Sequence, residues 1–346
     1  MESRQVVLGI DVGGTNTVMG LVDEDGGCYL KSEIPTNGHL PASSLFKRLF
    51  ECFEEKIEPV RREFELLGIG FGAPTANYYK GTVENPNNLN WGCVNIVNMI
   101  RQYYALPVAV INDANAAAIG EMKYGAAKNF KNFIEITLGT GLGSGIIVNG
   151  ELVHGQDGFA GEIGHTIIVE NGRLCGCGRK GCLETYVSAN GIRRTAFELL
   201  SVLSEKSCLS DYSYNLLTSK IIYEAALKGD LLAQKAFEIT GRRLGFALSN
   251  TVAHLNPEAI ILFGGLSLAG EMLLEPVKHF MEENLLEMYK GRIKLLQSNL
   301  MTSENAAILG TSAIIWHDIK TKGSNGSAHF RSPSKNKISL ANISLT

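Results

Sequence analysis

The chain has 346 residues, of which 45% are hydrophobic and 19% charged, and its formal net charge is −3. This length allows a large buried core that divides into two domains, while the charge argues against nucleic acid or an anionic membrane as the main partner. The sequence contains no run of 18 apolar residues and no signal peptide, so we expect a cytoplasmic protein with reduced thiols.

A strand, a glycine-rich turn and a second strand open the chain. The apolar runs 6–10 and 17–22 are typical of strands, and between them lies Asp11-Val12-Gly13-Gly14-Thr15-Asn16. Glycines without a Cβ atom let backbone N–H groups approach an anion, and Thr15 adds a hydroxyl donor. The turn is a candidate phosphate-binding site, although an ordinary glycine-rich hairpin could have the same sequence.

The next segment predicts a helix over 42–64 and strands over 66–71 and 108–111. The last strand ends in Asn112-Asp113, and the alanines that follow favour the start of a helix. A carboxylate at this junction has two explanations of equal weight. Asp113 is either a helix N-cap, worth ~1 kcal/mol, or a functional group at the carboxyl end of a sheet.

The pattern of strand, glycine turn and strand returns one domain length later. Residues 133–138 predict a strand, residues 146–148 predict another, and the turn between them contains Gly139, Thr140, Gly141 and Gly143. Two such turns facing each other could hold the phosphates of one nucleotide. No P-loop motif is present and no dinucleotide fingerprint leads into a helix, so hydride transfer is disfavoured.

A metal site is indicated by one histidine and three closely spaced cysteines: His165, Cys175, Cys177 and Cys182. Four ligands of this kind suit tetrahedral Zn²⁺. A disulfide is the weaker alternative, because a bridge across one residue is strained and the chain has seven cysteines, an odd number. The glycines at 176, 178 and 181 fit a chain that turns tightly around one ion. We therefore expect a closed structural zinc site, flanked by Glu162 and Glu184.

The remaining sequence predicts helices and strands in alternation and then a polar tail. The predicted helices cover 183–200, 218–228, 230–254, 271–288 and 304–318, and the predicted strands cover 259–263 and 292–297. Gly264-Gly265 closes the first of these strands. From Lys320 onward the composition is too polar to bury a core, so 320–346 is predicted to be a disordered tail.

Five motifs in this order resemble the ROK family of sugar kinases and sugar-responsive repressors. They are Asp11-x-Gly-Gly-Thr-Asn, Asn112-Asp113-Ala-Asn, Leu138-Gly-Thr-Gly-Leu-Gly-Ser-Gly, Glu162-x-Gly-His and Cys175-x-Cys-Gly-x-x-Gly-Cys-x-Glu184. The resemblance implies a two-domain α/β fold of the actin-like and hexokinase-like ATPases, with duplicated, ribonuclease H-like domains and a zinc loop. We expect domains at 1–125 and 126–303, with a helix at 304–319 packing back on the first domain.

The same resemblance implies roles for individual residues. Asp113 would be the general base on a sugar hydroxyl, usually the 6-hydroxyl. The other hydroxyls would be held by Asn88, Asn112, Glu162, His165 and Glu184, with His165 also binding zinc. ATP and Mg²⁺ would be bound by Asp11, Gly13, Gly14, Thr15, Asn16, Gly139, Thr140, Gly141 and Gly143, and the adenosine would pack near Gly264 and Gly265.

The expected reaction is ATP-dependent phosphorylation of glucose to glucose 6-phosphate, in a homodimer or homotetramer. An N-acetylhexosamine, mannose or fructose is the alternative substrate, because Thr75 follows Pro74 where many family members have glycine. A sugar-sensing repressor is a weaker alternative. Such proteins carry an N-terminal helix-turn-helix, whereas here the first strand is predicted to begin near residue 5, and they often lack the first phosphate turn.

Overall fold

A computed structural model describes residues 3–86, 88–203, 205–300, 303 and 305–322. The chain forms two compact units, and the first of them is discontinuous in sequence. The first unit comprises the residues up to Asn112 together with the described residues from Ala307 onward, and the second comprises Asp113–Ala306. Within the described ranges, no helix has the length and apolar character needed to cross a membrane.

The first unit is built on a five-stranded sheet. Its elements are β1 (Arg4–Val12), β2 (Asn16–Val22), β3 (Cys28–Pro35), α1 (Ala42–Ile57), β4 (Phe64–Gly72), β5 (Ala76–Asn77), β6 (Thr82–Glu84), β7 (Cys93–Asn95), α2 (Ile96–Arg101) and β8 (Val108–Ile111). The sheet order is β3-β2-β1-β4-β8, with β1–β3 antiparallel and β1, β4 and β8 parallel. The central strands are continuous apolar runs because both faces of the sheet are covered.

The second unit repeats this topology. Its elements are α3 (Asp113–Tyr124), β9 (Phe133–Leu138), β10 (Leu142–Val148), β11 (Glu151–Leu152), α4 (Ala189–Val202), α5 (Ser219–Leu227), α6 (Leu231–Leu255), β12 (Ala259–Phe263), α7 (Glu271–Asn284) and β13 (Lys294–Gln297). The sheet order is β11-β10-β9-β12-β13, again three antiparallel strands followed by parallel ones. The duplicated α/β fold expected from the resemblance is confirmed.

The boundary between the two units lies before α3, whereas the expected division lay after residue 125. A Cβ atom added to Gly143 would lie 2.7 Å from the Cβ of Ala114, and one added to Gly145 would lie 2.4 Å from the Cβ of Ala118. Glycine at these two positions of β10 therefore allows α3 to pack directly on the second sheet. The unit boundary accordingly falls between Asn112 and Asp113.

The helix α8 (Ala306–Lys322) belongs, from Ala307 onward, to the first unit. It lies close to the sheet at glycine positions: a Cβ atom on Gly70 would be 1.9 Å from the carbonyl oxygen of Thr311. The buried indole of Trp316 donates from Nε1 to the carbonyl of Val22 at 3.2 Å. Residues 320–322 of the predicted tail are therefore helical, and the rest of that tail lies outside the described residues.

Several predicted boundaries are wrong for local reasons. The first helix ends at Ile57 and continues as a 3-10 turn over Glu58–Glu63, because Pro59 lacks the N–H that an α-helix requires. The helix predicted from residue 183 begins only at Ala189, where the Ser188 side chain accepts a hydrogen bond from Gly191 N. Strand β3 and the small sheet of β5, β6 and β7 were not predicted.

Candidate functional site

The second glycine turn anchors a carboxylate. The N–H of Gly139 donates to the carbonyl of Gly141 at 3.0 Å, which closes the turn between β9 and β10. The backbone N–H of Leu142 donates to Glu184 Oε2 at 3.0 Å, and a Cβ atom on Gly141 would lie 2.4 Å from the same oxygen. Glycine at 141 thus leaves room for Glu184, which is held directly at the turn.

Asp113 lies beside the same turn. Its neighbour Ala114 packs against Gly143, so the first residue of α3 is one position from this contact. The exposed Asp113 carboxylate accepts a hydrogen bond from the N–H of Ala114 at 2.9 Å. A helix N-cap instead accepts from the residue two or three positions ahead. The contacts of Asp113 thus differ from those of a typical cap, and its carboxylate is accessible to solvent.

The segment that carries Glu162 and His165 also packs on β10. A Cβ atom on Gly161 would lie 3.0 Å from the carbonyl oxygen of Ser144, and one on Gly164 would lie 2.3 Å from that of Leu142. The Ser144 hydroxyl donates to the carbonyl of Gly161. The first residues of β10 thus gather three segments of the second unit, which contain Asp113, Glu162 and Glu184.

The four predicted metal ligands come together. The ligand atoms of His165, Cys175, Cys177 and Cys182 all lie within 4.8 Å of one another. The distance from His165 Nδ1 to Cys175 Sγ is 3.6 Å, and the two sulfurs of Cys177 and Cys182 are 3.7 Å apart. A tetrahedral zinc site with its usual bond lengths has nitrogen–sulfur edges of about 3.6 Å and sulfur–sulfur edges of about 3.8 Å. Both the donor set and its spacing fit Zn²⁺.

The loop around these ligands depends on glycine at two positions. Gly178 and Gly181 have φ values of +86° and +82°, a region that other residues adopt only with strain. A Cβ atom on Gly181 would also lie 1.7 Å from the carbonyl oxygen of Val169. Gly176, which we expected to contribute in the same way, has no positive φ and nothing within 4 Å of its Cβ position.

His165 links the metal ligands to the carboxylates. Its Nδ1 atom faces the cysteines, while Nε2 lies 3.9 Å from Glu162 Oε2. Cys175 Sγ lies 3.6 Å from Glu184 Oε1. A hydrogen bond from the backbone N–H of Arg179 lowers the pKa of the Cys177 thiol to about 6, which favours a thiolate ligand. The metal group and the two carboxylates therefore form one connected site.

Sequence reasoning missed Glu135 on β9, which is fully buried. Its Oε1 atom accepts a hydrogen bond from the Thr137 hydroxyl at 2.8 Å, and among the described residues its Oε2 atom has no partner. Burial raises the pKa of Glu135 well above its usual range, and the carboxylates of Glu121 and Asp113 act in the same direction. A single glutamate inside the apolar run 133–138 was the available signal.

Glu135→Gln should make the free energy of unfolding less dependent on pH. Burial raises the pKa of Glu135 in the folded state. The contribution of Glu135 to the free energy of unfolding is therefore complete below its unfolded pKa, near 4.3, and is lost as the pH rises through its folded pKa. Glutamine stays neutral. As the pH rises, the free energy of unfolding of the variant should therefore increase relative to that of the wild type by up to about 1.4 kcal/mol per pH unit. Urea denaturation between pH 5 and 9 measures this, with the exposed Glu283→Gln as control. A pH-independent difference would contradict it.

The first glycine turn lies in the other unit. The N–H of Gly13 donates to the carbonyl of Asn16 at 2.9 Å, and Gly14 and Thr15 are exposed at its tip. A Cβ atom on Gly14 would lie 3.2 Å from the Cβ of Asn88. Gly14 is not in the left-handed region, so glycine serves here to give space to Asn88. The predicted site residues of this unit are Asp11, Gly13, Gly14, Thr15, Asn16, Asn88 and Asn112.

Gly264 and Gly265 follow β12, next to the second turn. Gly264 has φ +95°, and a Cβ atom there would lie 2.5 Å from the carbonyl oxygen of Leu138. Nothing lies within 4 Å of the corresponding position on Gly265. Glycine is therefore required by the backbone at 264, whereas Gly265 borders open space.

Thr75 departs from the glycine that the resemblance leads one to expect after Pro74. It is exposed and has φ +54°, which is strained for a β-branched residue. Its backbone is fixed by a hydrogen bond from Glu84 N to its carbonyl at 3.2 Å. The chain thus keeps a glycine-like backbone at 75 while adding a side chain, at a cost of about 1–3 kcal/mol.

Comparisons with known proteins identify relatives of this chain. The model of the ROK family matches residues 7–318. A glucokinase of Halalkalibacterium halodurans is 40% identical over 286 residues, covering 82% of this chain and 86% of the relative. A xylose repressor of Caldicellulosiruptor bescii is 31% identical over 277 residues, covering 80% of this chain and 69% of the relative. The crystal structure of a ROK family glucokinase from Streptomyces griseus in complex with glucose and AMPPNP has a TM-score of 0.73 and 32% identity, covering 89% of this chain and 98% of that one.

The duplicated sheet topology and these likenesses define the class of protein, which is a sugar kinase of the actin-like and hexokinase-like superfamily. Within that class, the chain belongs to the ROK family.

Proposed function

We propose that this protein transfers the γ-phosphoryl group of ATP to the 6-hydroxyl of glucose, with Asp113 as the general base. The observation that carries the proposal is the position of Asp113 beside the second glycine turn, where Glu184 is also held. The proposed base and the second glycine turn are thereby brought together in one unit. The glucokinase relatives, one of them seen with glucose and AMPPNP, support glucose and ATP as the substrates.

The chemistry requires these groups for separate reasons. A sugar hydroxyl is a poor nucleophile, so a carboxylate at ~2.6–3.2 Å must accept its proton as the bond to phosphorus forms. Asp113 is assigned this role. The other hydroxyls are assigned to Asn88, Asn112, Glu162, His165 and Glu184. Carboxylates and amides bind vicinal hydroxyls in pairs, and the imidazole offers the one nitrogen that does not face the cysteines.

The phosphates are assigned to the two glycine turns. Phosphoryl transfer needs positioning and charge neutralisation. The exposed Gly14 at the tip of the first turn has no side chain to cover its backbone N–H. Bound Mg²⁺ would neutralise phosphate charge, and Asp11 is its proposed outer-sphere partner. The open space at Gly265 supports placing the adenosine there, although the backbone of Gly264 is explained by the turn alone.

The cysteine and histidine group is assigned a structural Zn²⁺. With four protein ligands the coordination is closed, so zinc would shape the loop and would not activate water. His165 Nδ1 faces the sulfurs and Nε2 faces Glu162, which supports a histidine that binds zinc through one nitrogen and orients the sugar site through the other.

A coupled assay of ADP release over a panel of sugars tests the proposal. The panel contains glucose, mannose, fructose, N-acetylglucosamine and N-acetylmannosamine, with calorimetric sugar binding measured in parallel. We expect the highest kcat/KM with glucose. A higher value with another sugar would replace glucose as the substrate. Sugar binding without ADP release would instead favour a sugar sensor, as in the xylose repressor relative, and would overturn the proposed activity.

A further inference from the structure

Thr36 follows β3 directly and is almost fully buried, with 1% of its surface exposed. Its backbone N–H donates to the carbonyl of Thr15 at 2.8 Å. Its hydroxyl donates to the carbonyl of Gly13 at 2.7 Å and lies 2.9 Å from the hydroxyl of Thr17. Since the one hydroxyl proton of Thr36 is used on Gly13, the Thr17 hydroxyl must be the donor in the second contact. One residue thus bonds both ends of the first glycine turn.

Arg48 on α1 holds Thr36 through its backbone carbonyl. Its guanidinium donates from Nη1 to the carbonyl of Pro35 at 2.6 Å and from Nη2 to the carbonyl of Thr36 at 3.0 Å. The planar guanidinium suits two neighbouring carbonyls, and hydrogen bonds to a charged donor contribute more than neutral ones. Arg48 and Thr36 therefore form a continuous link from α1 to the turn.

The bond to Gly13 determines the direction of a neighbouring donor. The C=O of Gly13 and the N–H of Gly14 belong to one trans peptide plane and point in opposite directions. When Thr36 holds the carbonyl of Gly13, the N–H of Gly14 is turned away from Thr36, and Gly14 itself is exposed. Without the hydroxyl this peptide is free to rotate, since glycine resists rotation less than other residues.

We propose that Thr36, held by Arg48, is a positioning residue that orients the first glycine turn for phosphate binding. This inference rests on the proposed function, in which that turn binds the phosphates of ATP. Thr36 does not touch the nucleotide and acts only through Gly13 and Gly14.

The segment that contains Asn88, which is proposed to bind the sugar, contacts the stretch after β3 at Gly38 and not at Thr36. The N–H of Asn90 donates to the carbonyl of Gly38 at 2.7 Å, and a Cβ atom on Gly38 would lie 2.8 Å from the carbonyl oxygen of Asn88. Neither contact uses the Thr36 hydroxyl. Asn88 also lies beside Gly14, but it is only one of the residues assigned to the sugar. Loss of the Thr36 hydroxyl should therefore weaken nucleotide binding much more than sugar binding, a split that general destabilisation would not produce.

The test is calorimetric binding of a non-hydrolysable ATP analogue with Mg²⁺ to the full chain. Thr36→Val keeps the shape but removes the donor, and we expect the Kd of the analogue to rise about 10-fold, equivalent to ~1.4 kcal/mol. The Kd of glucose should rise much less than that of the analogue. Thr36→Ser keeps the hydroxyl and should restore the wild-type value. The matched control is Thr82→Val, a buried threonine of the same unit whose hydroxyl donates to Glu84 at 3.0 Å.

Equal analogue binding by Thr36→Val and the wild type would overturn the proposal, as would equal weakening of analogue and glucose binding. If Thr36→Val does not fold, Arg48→Gln gives the same test: a larger loss of analogue binding than of glucose binding supports the proposal, and unchanged analogue binding contradicts it. ADP release by the wild type separates the proposed kinase activity from the proposed role of Thr36. A wild type that binds the analogue but phosphorylates no sugar refutes the proposed function and leaves the role of Thr36 standing.

Discussion

Asp113→Asn should lower kcat by about 10²–10⁴-fold, or roughly 3–5 kcal/mol of transition-state stabilisation, while sugar binding persists. Asparagine has nearly the same shape and can still accept the hydrogen bond that Ala114 N donates to Oδ1. It cannot accept a proton from a sugar hydroxyl. Steady-state kinetics with the best sugar of the panel measures kcat, and calorimetry measures the Kd of the same sugar.

The control for this prediction is a residue that is a helix cap by its contacts. Asp230 in the same unit accepts a hydrogen bond from the N–H of Ala233, three positions ahead, at 3.0 Å. Asparagine caps helices about as well as aspartate, so Asp230→Asn should leave kcat close to the wild-type value. If Asp113→Asn behaves like Asp230→Asn, Asp113 is a structural residue and the proposed general base is wrong.

Loss of zinc is expected to have the second large effect. Wild-type protein should contain about one zinc per chain, and Cys177→Ser, which removes one thiolate ligand, should contain much less. Because His165 Nδ1 faces the cysteines while Nε2 faces Glu162, release of the metal should free the imidazole to rotate. We expect a KM for sugar raised by 10–100-fold or a protein that fails to fold.

Elemental analysis and sugar kinetics on the same preparation test this expectation. Cys208→Ser is the matched control, since Cys208 is exposed, lies in the same unit and does not belong to the metal group. Its zinc content and KM should equal those of the wild type. A zinc-free wild-type preparation with full activity would rule out the assigned role of the metal.

Features that depend on neighbouring residues in the chain could be predicted from the sequence. The two glycine turns lie between strands that were found by their apolar runs, and the metal ligands occupy a short segment from His165 to Cys182. The repeated order of the two sheets follows from the resemblance and is confirmed. Each of these depends on backbone conformations that glycine and β-branched residues select locally.

Features that depend on distant packing could not be predicted. The assignment of α3 to the second unit follows from contacts of Ala114 and Ala118 with glycines of β10, which no local pattern reveals. The sequence around Thr36 contains no signal for its role, which depends on hydrogen bonds to Gly13 and Thr15, some twenty residues earlier in the chain. The strands β5, β6 and β7 have only two or three residues each, too few for an alternating pattern to be detected.

The sequence order of the two units also has a consequence for synthesis. The sheet of the first unit emerges from the ribosome early, whereas α8, which packs against Gly9 and Gly70, is made only after the whole second unit. With roughly 200 residues in between and about 5–20 residues added per second, the early sheet waits about 10–40 s for its helix. During that interval the second unit has time to begin folding. The sheet face that Ile308 and Ile315 later cover at Gly9 and Gly70 stays exposed to solvent and to chaperones.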